Sequence, residues 1–119
     1  MKALIEISPR GSVFTAARAQ IAGTQATGKE ADFLLRFESA RSLFSELTAA
    51  RMDLLELLRR TGPCSVYALA KAAECNYSNI HTDIKRLSAL GLVERTDGGD
   101  VFVPFTEVNI HFPLLQEAA

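Results

Sequence analysis

Polar side chains capable of specific hydrogen bonding are concentrated in one segment of the chain, NYSNIHTDIKRL, residues 76–87. They are Ser78, Asn79, His81, Thr82, Lys85 and Arg86. An Asn side chain can pair bidentately with adenine, Ser and Thr can contact base edges or phosphate, and Lys and Arg serve guanine or backbone phosphates. The residue types therefore suit the reading of a nucleic acid, although any surface helix also has a solvated polar face.

The spacing of apolar residues predicts that this segment is a helix with a defined inner side. Ile80, Ile84 and Leu87 fall within one narrow sector at about 100° per residue. The sector opposite contains Ser78, Thr82 and Lys85. Since residues near the start of such a helix usually reach deepest, we expect base-edge contacts from Ser78, Asn79 and Thr82 and phosphate contacts from Lys85 and Arg86.

The elements that must position this helix follow from caps and turn residues. Thr48 can cap a helix with a broad apolar face, made by Met52, Leu54, Leu55, Leu57 and Leu58, and Gly62 and Pro63 end that helix. Ser65 can cap a short helix up to Glu74, a tight turn follows, and residues 77–90 form the next helix, ended by Gly91. Asp97-Gly98-Gly99 predicts a hairpin turn between two β-rich arms, and Pro104 suggests that the second arm is a sheet edge.

Three other segments have the period of two that is typical of half-buried strands. They are KALIEIS near the start, DFLLRFE near residue 35 and EVNIHF near residue 110. Between the first two, Phe14, Ala17 and Ile21 recur at helical spacing from an N-cap at Ser12 to Gly23, and residues 24–31 form a polar loop. Leu43, Phe44 and Leu47 indicate one side of a further helix. The fold class is therefore α+β, mainly α.

Composition limits the classes of function. The chain has 119 residues, 48% of them hydrophobic, and a net charge of −1. This balance gives no basic patch for nucleic acid, so such a function must depend on local arrangement. No apolar run is long enough for a membrane span or a secretory signal, and we expect a cytoplasmic protein without membrane association.

Catalytic, metal and cofactor sites are not expected. The two cysteines and two histidines lack the paired spacing of a zinc site, and no phosphate-binding loop, nucleophile elbow or HExxH motif is present. Cys64, just before a helix start, could have a lowered pKa, but such a thiol is more commonly an unreactive side chain packed against its neighbours. We therefore expect no enzyme activity, no metal and no cofactor.

The stretch GPCSVYALAKAAECNYSNIHTDIKRLSALGLVER resembles the DNA-binding core of MarR-like winged helix-turn-helix transcriptional regulators. The strand-helix-strand start, the NYSNIHTDIKRL helix and the VPFTEVNIHF end are similar to a group of small prokaryotic DNA-binding regulators, some of which are encoded beside toxin-like genes. The resemblance covers most of residues 48–112 well and residues 1–47 loosely. It implies that the recognition helix includes Tyr77, Asn79, His81, Asp83 and Lys85. The near-neutral charge and the acidic turn residues Asp97 and Asp100 depart from a strong DNA binder.

Five further side chains have two interpretations each. His81 could reach a phosphate or base, or it could be partly buried near the hairpin. Lys71 on the short helix and Arg95 on the first hairpin arm are phosphate candidates, although Arg95 could instead pair with an acidic side chain. Arg59 and Arg60 could touch phosphate, but we prefer a role at their helix C-terminus, where cations are favoured.

The resulting hypothesis is a sequence-specific DNA-binding transcriptional regulator, a dimeric repressor that reads the major groove of double-stranded DNA with helix 77–90. Residues 1–47 would be a strand-helix-strand extension and linker helix for dimerisation, 48–105 the winged helix-turn-helix domain, and 106–119 a C-terminal strand and tail. The excess apolar surface of residues 1–58 and the strand near residue 110 predict a homodimer. The alternative is an antitoxin or adaptor whose main partner is a protein, such as a toxin-like neighbour.

Overall fold

A computed structural model of the chain describes residues 1–8 and 33–114. The chain divides into two compact units. The first contains Met1–Ser45 together with Glu107–Ala119, and the second contains Glu46–Thr106. The prediction of an α+β chain is confirmed, since the described residues form four helices and five strands.

A parallel sheet forms the centre of the first unit. Its strands are β1 (Lys2–Ile7), β2 (Phe33–Phe37) and β5 (Glu107–His111), in the order β2-β1-β5, with β1 parallel to both neighbours. The three strands predicted from the period of two are therefore present. The helix predicted between Ser12 and Gly23, and the loop at 24–31, lie outside the described residues.

The register assigns opposite characters to the two faces of this sheet. Ala3 of β1 lies beside Phe33 and Val108, and Ile5 lies beside Leu35 and Ile110. These positions make one face apolar, and the β1 members Ala3, Ile5 and Ile7 are buried. The opposite face is largely polar, with Glu6 between Arg36 and His111 and Lys2 beside Glu107.

Helix α1 (Ala40–Glu46) is the short helix that follows β2. Leu43 is fully buried but Phe44 is 48% exposed, so the side predicted from the apolar spacing is only partly covered. Leu47 is buried just beyond the helix end. The next residue, Thr48, caps helix α2 (Ala49–Thr61) as predicted, since its hydroxyl accepts the backbone N–H of Arg51 at 3.2 Å.

The apolar face predicted for α2 is only partly buried. Leu54 and Leu58 are buried, whereas Met52, Leu55 and Leu57 are half-buried. The helix ends at Gly62, whose φ of +85° is strained for any residue with a Cβ and whose N–H donates to the Leu58 carbonyl.

Two further helices follow as the sequence predicts. Helix α3 (Val66–Ala73) is capped by Ser65, whose hydroxyl accepts the Ala68 N–H at 3.0 Å. A three-residue turn, 74–76, leads to helix α4 (Tyr77–Ala89), which ends just before Gly91 at φ +84°. Leu69 of α3 and Ile84 and Leu87 of α4 are fully buried in the core of the second unit.

The predicted hairpin is present with very short arms. β3 (Glu94–Arg95) pairs antiparallel with β4 (Val101–Phe102), and Gly99 in the turn has φ +91°. Val101 also pairs with Cys64, through backbone hydrogen bonds of 2.8 and 3.2 Å. β4 is thus an outer strand of a two-stranded sheet, as predicted, except for this isolated bridge at Val101, and Pro104 lies beyond the strand.

Within the described residues, no helix is both long and apolar enough to cross a membrane.

Candidate nucleic-acid interface

Helix α4 presents two chemically different sides. Ile80, Ile84 and Leu87 are at most 4% exposed, which confirms the inner side predicted from their spacing. Burial of these side chains fixes the rotation of the helix about its axis, because turning it would bring apolar surface into water. The outer side is thereby set by the packing of the second unit.

The outer side is a ridge of three exposed side chains, Ser78, Thr82 and Lys85. No ion pair engages Lys85 in the described part of the chain. Hydroxyl groups and an ammonium on one exposed side offer hydrogen-bond donors and acceptors together with one positive charge. Tyr77, Asn79, His81 and Arg86 are also exposed and lie to either side of this ridge.

The start of α4 is capped by Asn76, a cap that was not predicted from the sequence. The Asn76 carboxamide oxygen accepts the Ser78 N–H at 2.7 Å, which satisfies one of the free donors of the first turn. The 74–76 connection, which includes Asn76, also contains Glu74 in a left-handed conformation, with φ 55° and ψ 40°. The cap therefore fixes the backbone at the N-terminus of α4, where the ridge begins.

A network of charged side chains connects α4 to the start of the second unit. The Arg51 Nε–H donates to an Asp83 carboxylate oxygen at 2.9 Å, and another guanidinium nitrogen donates to the Glu46 carbonyl at 2.8 Å. The same nitrogen lies 3.8 Å from a carboxylate oxygen of Glu46. The other carboxylate oxygen of Glu46 accepts a hydrogen bond from Arg86.

This network changes the interpretation of two residues on α4. Asp83, matched to a recognition helix by resemblance, is held by Arg51 and serves to position the helix. Arg86, expected to contact phosphate, already pairs with Glu46 and would have to leave that carboxylate to do so. The network was missed, although one signal pointed to it: at about 100° per residue Asp83 falls next to Leu87 rather than in the outer sector.

Aromatic side chains accompany the basic residues on both helices. The Tyr77 and His81 rings lie 5.9 Å apart, and the Lys71 ammonium lies 5.3 Å from the centroid of the Tyr67 ring. His81 is exposed, so its interpretation as a partly buried residue near the hairpin is wrong. Tyr67, 62% exposed, was not predicted, although its spacing of four residues from Lys71 indicated a pair on one helix face.

Arg95 and Arg59 donate hydrogen bonds to different parts of the second unit. Arg95, on β3, is exposed and donates to the Gly99 carbonyl at 3.3 Å, a contact inside the hairpin rather than with an acidic side chain. Arg59 donates to the Val103 carbonyl at 3.1 Å, which links α2 to the segment after β4. Arg59 thus has a structural partner that its place in the last turn of α2 did not reveal.

Cys64 and its surroundings do not form an activated thiol. Burial raises the pKa of the Cys64 thiol, and the negative charge of Asp100 raises it further. The possibility of a lowered pKa at this helix start is therefore wrong. Among residues 1–8 and 33–114, no three His, Cys, Asp or Glu side chains are grouped as metal ligands.

Comparison with known proteins gives one match. The model of the family HVO_A0114 matches residues 46–110, and this description states no activity. No curated protein and no solved structure matches the chain.

Proposed function

The chain belongs to the HVO_A0114 family, whose model covers the whole of the second unit, and we propose that this unit is a winged helix-turn-helix that binds double-stranded DNA. In this proposal α3 and α4 are the helix-turn-helix, α4 is the recognition helix, and the β3–β4 hairpin is the wing. The protein would be a sequence-specific transcriptional regulator that represses by occupying its operator.

The observation that carries the proposal is the ridge on α4. Its three side chains are exposed, while Ile80, Ile84 and Leu87 directly opposite are buried. An α-helix with such an exposed side fits the major groove of B-DNA, about 12 Å wide. The order of elements supports the proposal: a short helix, a three-residue turn, the ridge helix and then a hairpin.

The electrostatics favour a binder with few phosphate contacts. The net charge of the chain is −1, and Lys85 is the cation on the ridge itself. Lys71 on α3 and Arg95 on the wing are additional exposed cations that could reach phosphates. Since a single recognition helix with so little charge binds weakly, we propose that a homodimer places two such helices in successive major grooves.

The proposal is tested by selecting bound fragments from random double-stranded DNA and measuring affinity for the selected site. Asn79→Ala should relax the preference at one base pair and weaken specific binding by about 1–3 kcal/mol. Glu56→Ala, an exposed change on α2, is the matched control and should leave both unchanged. Absence of any enriched sequence, together with no binding, would contradict the proposal.

Lys85→Ala tests the electrostatic part of the same proposal. Removing one phosphate contact should weaken binding to all sequences alike and reduce the slope of log affinity against log salt by about one. Arg60→Ala, which removes an exposed cation at the end of α2, should leave the slope unchanged. Equal slopes for wild type and Lys85→Ala would show that Lys85 makes no phosphate contact and that the ridge does not face the DNA.

A second candidate function is the binding of a partner protein, as an adaptor or an antitoxin for a toxin-like neighbour. The observations that favour it are the net charge of −1 and the acidic wing residues Asp97 and Asp100. Purification from the native host distinguishes the two candidates. A stoichiometric small protein that copurifies, with no retarded DNA fragment from the protein's own promoter, would favour the partner-binding function.

A further inference from the structure

Strand β5 is an edge strand whose apolar side chains are partly exposed. Within the described residues its only neighbour in the sheet is β1. Val108 and Ile110 on this strand are 38% and 40% exposed, and Phe112 just beyond it is 49% exposed. An exposed edge strand with apolar side chains is a template for pairing with another strand, and native proteins usually cover or blunt it.

The sequence of β5 is complementary to itself when read in the opposite direction. EVNIH places Asn109 at the centre, with Val108 and Ile110 one step away and Glu107 and His111 two steps away. In an antiparallel pair centred on Asn109, Val108 lies opposite Ile110 of a second copy, and Glu107 lies opposite its His111. Apolar pairs then share one face, and pairs of opposite charge type share the other.

The neighbouring strands extend this complementarity across the sheet. Glu6 of β1 lies between Arg36 and His111 in the register, and His111 Nδ1 is 3.8 Å from a Glu6 carboxylate oxygen. Lys2 pairs with Glu107 at 3.2 Å. Across the proposed contact the polar face would therefore alternate between hydrogen-bond donors and carboxylate acceptors, as Arg36, Glu6 and His111, followed by Glu107 and Lys2 of the second copy.

The His111 imidazole suits this position in either protonation state. A ring N–H can donate to the Glu107 carboxylate of the second copy whether the ring is neutral or charged. The two Asn109 carboxamides, which face each other at the centre, can donate to and accept from one another. The polar face thus supplies partners for each polar side chain of the strand.

We propose that β5 pairs antiparallel with β5 of a second copy of this chain, centred on Asn109, and joins the two sheets into one sheet of six described strands. The two-fold axis passes through the Asn109 pair. The apolar face would continue across the axis, because Val108 and Ile110 of both copies lie on the same side as the buried β1 residues. This proposal concerns self-association and does not rest on DNA binding.

Cysteine cross-linking tests the register. In a full-length chain with Cys64→Ser and Cys75→Ser, Asn109→Cys should form an intermolecular disulfide under mild oxidation. Directly opposed antiparallel positions have Cα atoms about 4.5–5.5 Å apart, within the range a disulfide spans. Val108→Cys in the same background is the matched control and should not cross-link, because equivalent residues 108 lie about 7–8 Å apart on the diagonal.

Association measured by sedimentation provides the second test. Ile110→Lys should raise the dimer dissociation constant more than about tenfold, since each copy would place an ammonium against Val108 of the other. Leu114→Lys, at an 88% exposed position beyond the strand, should leave it unchanged. Far-UV circular dichroism would show whether both variants keep the fold.

Three results would overturn the proposal. The first is a wild-type chain that stays monomeric at concentrations well above micromolar. The second is an unchanged dimer dissociation constant for an Ile110→Lys variant that keeps its fold. The third is cross-linking at residue 108 equal to that at residue 109. Each can occur while α4 still binds a single half-site, so failure of the strand pairing is distinguishable from failure of DNA binding by the ridge.

Discussion

The Arg51 guanidinium links helix α4 to the start of the second unit. It bonds Asp83 on α4 and the carbonyl of Glu46, and Glu46 in turn holds Arg86. The Arg51 and Asp83 side chains are 16% and 24% exposed, so water screens their pair only in part. At the scale of single residues, the position of the ridge therefore depends on a side chain that is not on it.

Arg51→Ala should lower the free energy of unfolding by about 1.5–3 kcal/mol, the usual range for hydrogen bonds to charged groups. The physical reason is that Asp83 keeps its charge but loses its donor. Urea denaturation measures the change, with Arg60→Ala expected within about 0.5 kcal/mol of wild type. A loss below that limit for Arg51→Ala would mean that water replaces the guanidinium without cost.

Cys64 combines a raised thiol pKa with a place in the backbone pairing to Val101. Because burial and Asp100 disfavour the thiolate, the folded chain holds the proton to higher pH than the unfolded chain does. The contribution to stability is thus complete below the ordinary thiol pKa of about 8.5 and is lost as pH rises through the folded-state pKa.

Iodoacetamide labelling at pH 8 should modify Cys64 more slowly than exposed Cys75, since only the thiolate reacts. Asp100→Asn removes a negative charge that raises the pKa, so it should speed labelling of Cys64 and leave Cys75 unchanged. Mass spectrometry of the two peptides gives both rates in one sample. Faster labelling of Cys64 than of Cys75 in the wild type would contradict the assigned direction.

At the scale of elements, helix boundaries were largely predictable, whereas contacts between residues distant in sequence were not. Thr48, Ser65 and Gly62 mark helix ends through local rules of capping and positive φ, so a single sequence carries that information. The inner side of α4 followed from periodicity in the same way. The contact of Arg51 with Asp83 and that of Arg59 with Val103 span 32 and 44 residues of sequence, and no local pattern specifies such pairs.

The exposure of Phe44 and the bridge between Cys64 and Val101 illustrate the same limit. Periodicity places Phe44 beside Leu43, but only tertiary packing decides which of the two is covered. Pro104 predicted an edge because proline lacks an N–H, but it did not predict that the strand ends before it or that Val101 also pairs with Cys64. The ridge was thus predictable from sequence, whereas its supporting network was not.

Glu74→Gly should stabilise the second unit by about 0.5–1 kcal/mol. Glu74 adopts a left-handed conformation that costs a residue with a Cβ about 1–2 kcal/mol, and glycine avoids this cost at the expense of some chain entropy. Thermal and urea unfolding measure the gain. Glu56→Gly, an exposed position inside α2, is the opposite control and should lose about 1 kcal/mol.

At the scale of the whole molecule, the two units have separate tasks in the proposed function. The second unit carries the ridge, and the first carries the strand proposed to join two copies. Two linked recognition helices gain from each other because the second half-site binds as an intramolecular event. Neither the net charge of −1 nor a single helix would give high affinity by itself.

Ile110→Lys should therefore weaken binding to a two-half-site DNA by about 10²–10⁴, the usual gain from linking two sites, while binding to a single half-site stays at the wild-type level. Fluorescence anisotropy with both DNA lengths separates the two effects, and Leu114→Lys serves as the control. Equal loss on both DNA lengths would indicate that Ile110 supports the fold of the chain rather than its association.

The β3–β4 hairpin is held by backbone hydrogen bonds at its base, and its turn residues are exposed to solvent. Val101 is held on both sides by backbone pairing, while Asp97, Gly98 and Gly99 are exposed. Extra residues at this tip can be accommodated without loosening the strands beneath, as exposed loop tips tolerate insertion. In the proposed function, the tip could therefore gain residues or charge for a minor-groove contact while α4 and its ridge stay unchanged.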